Sequence, residues 1–393
     1  MSQMPPLRVA IVSGEESGDL LAADLVRALA RQSDRQVELI GVGGHRLQEL
    51  GLRSLFEASD IAIMGFSAVL RDLPRLIRRI RTTAKTIAAE KPDCLITVDS
   101  PDFGLRVAKK VRALAPEIPT IHYVCPSVWA WRPGRALDMR PYVDHILCLL
   151  PFEPAELDRL GGPEGTFVGH RLANDPQVRE AALNQLGARR GEVKRLLLLP
   201  GSRRGEVTRL MPVIGETVQR LKSSGHKFEL LLPTVPHVFD LVKKASEDWP
   251  VQPEILLSEE KKWEAFASAD AALACSGTVA LELALARVPF ISVYKMDFLV
   301  RMLGPYLVRI WTASLPNLIA GWPVVPEYFN QYIVPETLAR LLPRLWNETP
   351  TRLSQRQGFA QVADALSTPI PSGDLAARVV LNKIQERLMK EPA

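Results

Sequence analysis

With 393 residues, 47% of them hydrophobic and 24% charged, the chain is too long for one ordinary core and points to two domains of about 150–200 residues each. Its net charge of +5 is mildly basic, which favours anionic partners without naming one; nucleic acid is not expected among them. No uninterrupted apolar run reaches the roughly 18 residues of a transmembrane helix, and the N-terminus leads straight into a strand-like run with no signal-peptide pattern, so a cytoplasmic protein is expected.

Strand-like runs alternate with helical patterns along most of the chain, which predicts an α/β fold with parallel sheets. In the first half the strands are expected at 8–12, 37–41, 94–98, 120–124, 145–149 and 166–168, with helices at 20–31, 70–90, 103–114 and 154–160. A polar stretch with no strand signal follows Gly169, so a boundary is placed there: 1–170 as one domain and 171–194 as a linker. The alternation restarts with strands at 195–199, 228–232, 254–257, 271–274 and 290–294, in a second domain of 195–345. Beyond it come an apolar stretch at 298–311, an aromatic loop bearing Trp322, Tyr328 and Phe329, and helices at 335–346, 351–365 and 373–389. Two Rossmann-like doubly wound domains are the expected architecture, with ligands at the carboxyl ends of the strands.

The turn at Ser13-Gly14-Glu15-Glu16-Ser17-Gly18-Asp19 follows the first strand, and a second glycine cluster stands at 41–44. Neither has the GxGxxG spacing of a dinucleotide fold; the glycines, Gly18 and Gly44 among them, let a substrate approach the backbone, or Ser17 simply caps a helix. On a helical wheel, 69–91 separates Leu73, Leu76, Ile77, Ile80, Ala84 and Ile87 from Arg71, Arg75, Arg78, Arg79, Arg81 and Lys85. That basic face is either solvated or a docking surface for anionic lipid.

Asp99 stands at the C-terminal lip of a buried strand, in Val98-Asp99-Ser100-Pro101-Asp102-Phe103. It is read as a general base, a carboxylate whose partial desolvation raises its pKa toward working pH, or else as a cap that orders the loop. The segment 122–132 packs His122, Ser127, Trp129, Trp131 and Arg132 into a strand end, as a cleft for a sugar or acyl chain or as core aromatics. His122 lies within the strand run, so a core histidine and a catalytic one both remain open. Cys94, Cys125, Cys148 and Cys275 form no CxxC pair, and the histidines lack metal spacing, so buried thiols and no metal are expected.

The second half carries two strand-to-helix turns, Leu199-Pro200-Gly201-Ser202-Arg203-Arg204-Gly205-Glu206 and Cys275-Ser276-Gly277-Thr278-Val279-Ala280-Leu281-Glu282. Each ends an apolar run in small residues and opens a helix, which aims backbone N–H groups and a positive dipole end at one spot suited to a diphosphate. Arg203 offers a planar fork for phosphate, and Glu282 is placed for ribose hydroxyls or for a helix cap. No DxD-type pair stands in these turns, which argues for chemistry without a metal or other cofactor.

Together these motifs resemble the lipid-A-disaccharide synthase family. They run in order: SGEESGD at 13–19, Met64-Gly65, VDSPDF at 98–103, HYVCPSVWAWR at 122–132, Gly169-His170, LLPGSRRGE at 198–206, SGTVALE at 276–282 and PNLIAG at 316–321, with Pro326-Glu327 and Gln331. The similarity covers about 8–390. Two departures stand out: Gly44-His45-Arg46 where a GGP-like turn is usual, and Gly169-His170-Arg171 where GHP is usual. The resemblance implies a GT-B-like architecture and an inverting transfer of 2,3-diacylglucosamine from its UDP derivative to the 6-hydroxyl of 2,3-diacylglucosamine 1-phosphate. It implies UDP contacts from Gly201, Ser202, Arg203, Glu206, Ser276, Gly277, Thr278, Glu282 and Asn317, and substrate contacts from Ser13, Glu15, Ser17, Gly18, Gly44, Met64, His122, Ser127, Trp129, Trp131 and Arg132, with Asp99 as the catalytic base. It also implies a C-terminal tail (346–393) packing back on the N-terminal domain, a homodimer, and peripheral attachment to the cytoplasmic face of the inner membrane. A UDP-GlcNAc 2-epimerase-like enzyme and a non-catalytic lipid- or nucleotide-binding protein are the alternatives.

Overall fold

A computed structural model describes residues 5–60, 66–187, 191–296 and 310–389, with the backbone alone at position 59 and over 66–73. The chain divides into two compact units, Met1–Arg171 with Thr368–Ala393, and Leu172–Ser367. The first holds strands β1 (Leu7–Ser13), β2 (Val37–Val42), β3 (Cys94–Val98), β4 (Thr120–Tyr123), β5 (His145–Cys148) and β6 (Gly165–Phe167). The second holds β7 (Lys194–Leu199), β8 (Phe228–Pro233), β9 (Pro253–Leu256), β10 (Ala271–Cys275), β11 (Phe290–Tyr294) and β12 (Glu327–Phe329). Every pairing is parallel, in the orders β2-β1-β3-β4-β5-β6 and β12-β11-β10-β7-β8-β9. The order reverses between β1 and β3 in one sheet and between β7 and β10 in the other. Those switch points are where a doubly wound sheet opens a crevice for ligand.

Burial on both faces explains why the strands read as unbroken apolar runs: every residue of β3 and of β10 is buried. In β1 the period of two sends Val9 and Ile11 to one layer and Ala10 and Val12 to the other. The first layer is covered by helix Glu16–Ser33 and by the C-terminal helix Ser372–Leu388, through Leu25, Leu29, Ala376, Val380 and Ile384. Arg31 pairs with Asp374 at 2.7 Å along that contact. The second layer is covered by helices Phe66–Glu90 and Pro101–Leu114, through Ile80, Ala84, Ile87, Phe103 and Val107.

Three stretches differ from the sequence reading. The expected linker 171–194 contains the helix Pro176–Gly187, whose Gln185 donates to the carbonyls of Phe266 and Ala269 (2.7 Å each) and so closes the end of helix Glu259–Ser268. Of the expected tail 346–393, the part from Thr368 onward, with helix Ser372–Leu388, belongs to the first unit, and 346–367 belongs to the second. Helix Pro350–Leu366 is held in the second by Gln355, which accepts from the Phe290 N–H (2.7 Å) and donates to the Phe290 carbonyl (2.9 Å). The aromatic loop contains β12, a three-residue edge strand too short after Pro326 to leave an alternating pattern.

Candidate active site

At the β7/β10 switch point a cavity of about 440 Å³ is lined by Gly201, Ser202, Arg203, Glu206, Ser276, Gly277, Thr278 and Glu282, which are eight of the nine residues expected to contact UDP. Helices Arg204–Ser223 and Thr278–Leu285 start here, so both present unpaired N–H groups and positive dipole ends. Gly201 has φ +104, and a Cβ on it would sit 2.5 Å from Glu206 Oε2. Only glycine fits that turn. Glu206 folds back to accept from the Arg203 N–H (3.3 Å) and pairs with the Arg203 guanidinium (3.1 Å), so its carboxylate satisfies an orphan N–H at the start of the helix.

Sequence reasoning missed one lining residue, Lys262, and one residue that braces the lining, His237. Lys262, on the helix Glu259–Ser268, pairs with Glu282 at 2.8 Å. His237 donates from Nε2 to the Ser202 carbonyl (2.7 Å), steadying the first turn. Neither residue sits in a recognisable spacing; they arrive from the β8 and β9 connections by folding alone.

Asn317 is not part of the lining. It is buried, accepts from the Val325 N–H (2.7 Å), and donates to the Val325 carbonyl (3.0 Å) and to Thr312 Oγ1 (3.1 Å). With Glu327 it holds the segment whose Ala313 carbonyl accepts from Ser276 Oγ (3.4 Å). Its side chain therefore supports the second turn from behind.

The β1/β3 switch point collects Ser13, Gly18 and Asp99. Ser13 pairs in register with Val98, one residue before Asp99. A Cβ on Gly18 would lie 2.8 Å from Ser13 Oγ and 3.6 Å from Asp99 Cβ, so glycine lets the first helix approach the carboxylate. Asp99 and Ser100 both adopt left-handed backbone, φ +51 and +39, which is uncommon outside glycine and concentrates at functional sites. Burial pushes the Asp99 carboxyl above its ordinary value, opposed by the Ser100 N–H. Ser100, not Asp99, occupies the cap position of the next helix, and Asp102 pairs with Arg135 at 2.8 Å.

His122 is buried in β4, with Nδ1 2.7 Å from Thr97 Oγ1. Desolvation, then the nearby Arg135 charge, lowers its pKa to about 3 against the Thr97 bond, so the ring is neutral. Its Nε2, like Ser13 Oγ and Ser100 Oγ, is buried without a hydrogen-bond partner. Ser17 is exposed and does not cap: the cap position is Glu15, which accepts from the Asp19 N–H through its carbonyl (2.8 Å). Gly44 is fixed by Asp19, whose carboxylate accepts from the N–H groups of Gly44 (2.7 Å) and Arg46 (2.8 Å).

In the 124–132 loop, Ser127, Trp131 and Arg132 are exposed, and the Arg132 guanidinium stacks 4.3 Å from the Trp131 ring. Trp129 is half-buried and donates from Nε1 to Glu153 Oε1 (3.2 Å). Met64, Gly65 and the apolar 298–307 segment lie outside the described residues. Along the basic helix, Arg75 and Arg79 pair with Asp60, and a groove of about 640 Å³ forms between Leu55, Phe56, Pro74, Arg75, Arg78, Arg79 and Thr82. Ile77, assigned to the apolar side of the wheel, is exposed.

A family model described as lipid-A-disaccharide synthetase matches residues 9–366. The lipid-A-disaccharide synthase of Rhodopseudomonas palustris (strain HaA2) is 46% identical over 381 residues, covering 96% of this chain and 97% of that protein. That of Nitrobacter hamburgensis is 43% identical, covering 95% of each. Among solved structures, the Acinetobacter baumannii MurG has a TM-score of 0.55 at 14% identity over 97% of this chain and all of that one. The Neisseria meningitidis UDP-GlcNAc 2-epimerase bound to UDP-GlcNAc has 0.56 at 12% identity over 98% and 100%. These two share the GT-B fold and, at such identities, no more than the fold. The chain belongs to the lipid-A-disaccharide synthase family and is a glycosyltransferase of lipid A biosynthesis.

Proposed function

We propose that the enzyme transfers 2,3-diacylglucosamine from UDP-2,3-diacylglucosamine to the 6-hydroxyl of 2,3-diacylglucosamine 1-phosphate, with inversion at the anomeric carbon. The carrying observation is the β7/β10 cavity, where two helix N-termini, Arg203 and Lys262 converge beside Glu282. The acceptor oxygen bonds to the anomeric carbon as the bond from that carbon to the diphosphate oxygen breaks. The electron pair leaves with UDP, and the acceptor proton passes to Asp99. Positive groups fixed in advance around the diphosphate stabilise the charge that develops on it. An Asp99 carboxyl raised by burial is a stronger base than a solvated one and is matched better to neutral pH.

In this reading Ser13, Gly18, Gly44, Trp129 and Trp131 serve the acceptor side, and Gly201–Glu206 with Ser276–Glu282 serve UDP. The Arg75/Arg78/Arg79 groove beside Phe56 serves a peripheral contact with anionic lipid on the cytoplasmic face of the inner membrane; no described helix is long and apolar enough to cross a membrane. A homodimer belongs to the same reading, on the family resemblance alone.

The test is a detergent-solubilised assay with both substrates. UDP release should require the acceptor and should match disaccharide 1-phosphate formed. UDP release without acceptor, or isomerisation at C2 of the UDP-sugar, would overturn the transfer in favour of hydrolase or epimerase chemistry. Tight UDP binding with no turnover would favour a binding protein.

A further inference from the structure

All four cysteines are buried thiols, and two of them meet although 23 positions separate Cys125 from Cys148 in the chain. Cys148 closes β5, and Cys125 follows the end of β4, its parallel neighbour. Just before Cys125 the turn at Val124 has φ +77, an outlying conformation for a β-branched residue, and the Val124 N–H donates to the Leu147 carbonyl (3.0 Å). Glu153 opens the helix Glu153–Arg159 directly after β5 and is buried. Cys125 Sγ, Cys148 Sγ and a carboxylate oxygen of Glu153 all lie within 4.8 Å of one another. Among the described residues this is the one trio of histidine, cysteine or acidic groups that converges in this way.

We propose that Cys125, Cys148 and Glu153 form a binding site for one thiophilic divalent cation of the zinc and cadmium class. Two sulfurs and one carboxylate are a borderline-soft donor set, which favours such ions over the all-oxygen preferences of magnesium and calcium. A tetrahedral ion with the usual zinc–sulfur and zinc–oxygen bonds holds its ligand atoms about 3.5–3.8 Å apart, so side-chain rotation of about 1 Å is enough to close the trio. The carboxylate keeps capacity for an ion. It accepts from Trp129 Nε1 and from the N–H groups of Leu149 (3.0 Å) and Leu150 (2.9 Å), three of its roughly four lone-pair sites.

Binding replaces two S–H bonds by two sulfur–metal bonds and releases both protons to solvent. Three protein ligands leave a fourth position for water. An ion here ties together the loop after β4, the end of β5 and the next helix. Because Glu153 also holds the Trp129 indole, occupancy reaches the loop that carries Trp129 and Trp131.

The experiment is a cadmium titration of the full-length, reduced, chelator-stripped protein, followed by the thiolate-to-metal charge-transfer band in the ultraviolet. The band should saturate at one ion per chain, persist in excess magnesium, and be lost in Cys125→Ser and in Cys148→Ser. It should be kept in Cys94→Ser and Cys275→Ser. Zinc-loaded wild type should give an X-ray absorption shell of two sulfurs at about 2.3 Å, a readout that does not depend on any variant folding. No band in the wild type, a band that survives removal of both cysteines, or an absorption shell without sulfur would overturn the site. So would a protein that takes up no cation but links Cys125 to Cys148 on mild oxidation, which would make the pair a redox couple instead.

Discussion

Both switch points are order reversals in a parallel sheet, after two strands in one and after three in the other, and they differ in how their charged groups are held. At β7/β10 the two lining cations are ion-paired, Arg203 with Glu206 and Lys262 with Glu282, while Thr234 Oγ1 in the same lining is buried without a partner. At β1/β3, Ser13 Oγ and Ser100 Oγ are buried without partners, Asp99 and Ser100 hold left-handed backbone, and the Asp99 carboxyl is raised by burial. Buried polar atoms are normally satisfied, and unfavourable backbone persists only where the surroundings over-determine it. The β7/β10 cavity thus holds paired cations beside two helix N-termini, whereas the β1/β3 point holds a desolvated carboxylate on left-handed backbone beside two orphaned hydroxyls. The contrast is what the proposed division between holding a leaving group and taking a proton calls for.

The largest expected effect therefore belongs to Asp99. Asp99→Asn should lower turnover by about 10²–10⁴-fold, the usual contribution of a general base, while UDP affinity measured by calorimetry stays within twofold. Near-normal turnover would remove Asp99 from the chemistry. Its pH dependence has a definite sign. A carboxyl raised in the folded state binds its proton more tightly there than in the unfolded chain, so it contributes stability at low pH that is lost as pH rises through the folded pKa. Asp99→Asn should accordingly be more stable than wild type at neutral pH, and the difference should vanish below the unfolded carboxyl range. The wild-type rate should run the other way, falling as pH drops through the raised pKa.

On the cradle side, Gly201→Ala places a methyl group 2.5 Å from Glu206 Oε2 at φ +104. The strain costs about 1–3 kcal/mol and displaces the Glu206 carboxylate from Arg203, so UDP affinity should fall by about tenfold or more with the melting temperature lowered. Unchanged affinity would mean that the turn does not touch the diphosphate. Next in size is Lys262→Met. It leaves the Glu282 carboxylate unpaired beside the ligand and should raise the UDP Kd by about tenfold, in line with about 1.5–3 kcal/mol for hydrogen bonds to charged groups. A variant that binds UDP more tightly would show that the ion pair blocks the site.

How much of this was legible in the sequence follows the same divide. Strand-to-helix turns with small residues are local signals, so Gly201–Glu206 and Ser276–Glu282 could be read directly, and the cavity collects them. The β1/β3 site was legible in position, because Asp99 ends a fully buried strand, but not in condition: left-handed backbone and orphaned hydroxyls leave no trace in spacing. Lys262, His237 and the Cys125–Cys148–Glu153 trio depend on which strands become neighbours, information carried by the sheet order and not by any motif. Asn317 shows the converse. A motif position was read as a ligand contact, while its amide is engaged by Val325 and Thr312. Helix Pro350–Leu366 was assigned by its place in the chain, whereas the buried Gln355 bonds to Phe290 decide where it packs.

The smallest effect separates both switch points from the basic helix. Arg78 lines the groove beside Phe56 and, unlike Arg75 and Arg79, is not among the cations held by Asp60. Paired arginines are partly neutralised before any lipid arrives, so Arg78 should contribute more per residue to attraction toward an anionic surface. A basic residue near such a surface contributes about 1 kcal/mol, so Arg78→Glu should weaken binding to anionic vesicles by about tenfold or more in low salt. The loss should shrink as salt rises, because the interaction is screened beyond about 10 Å at 0.1 M. Turnover on detergent-solubilised substrates and UDP affinity should both stay unchanged. Vesicle binding that is insensitive to Arg78→Glu at low salt would return this face to solvent and confine the enzyme's anion recognition to the β7/β10 cradle.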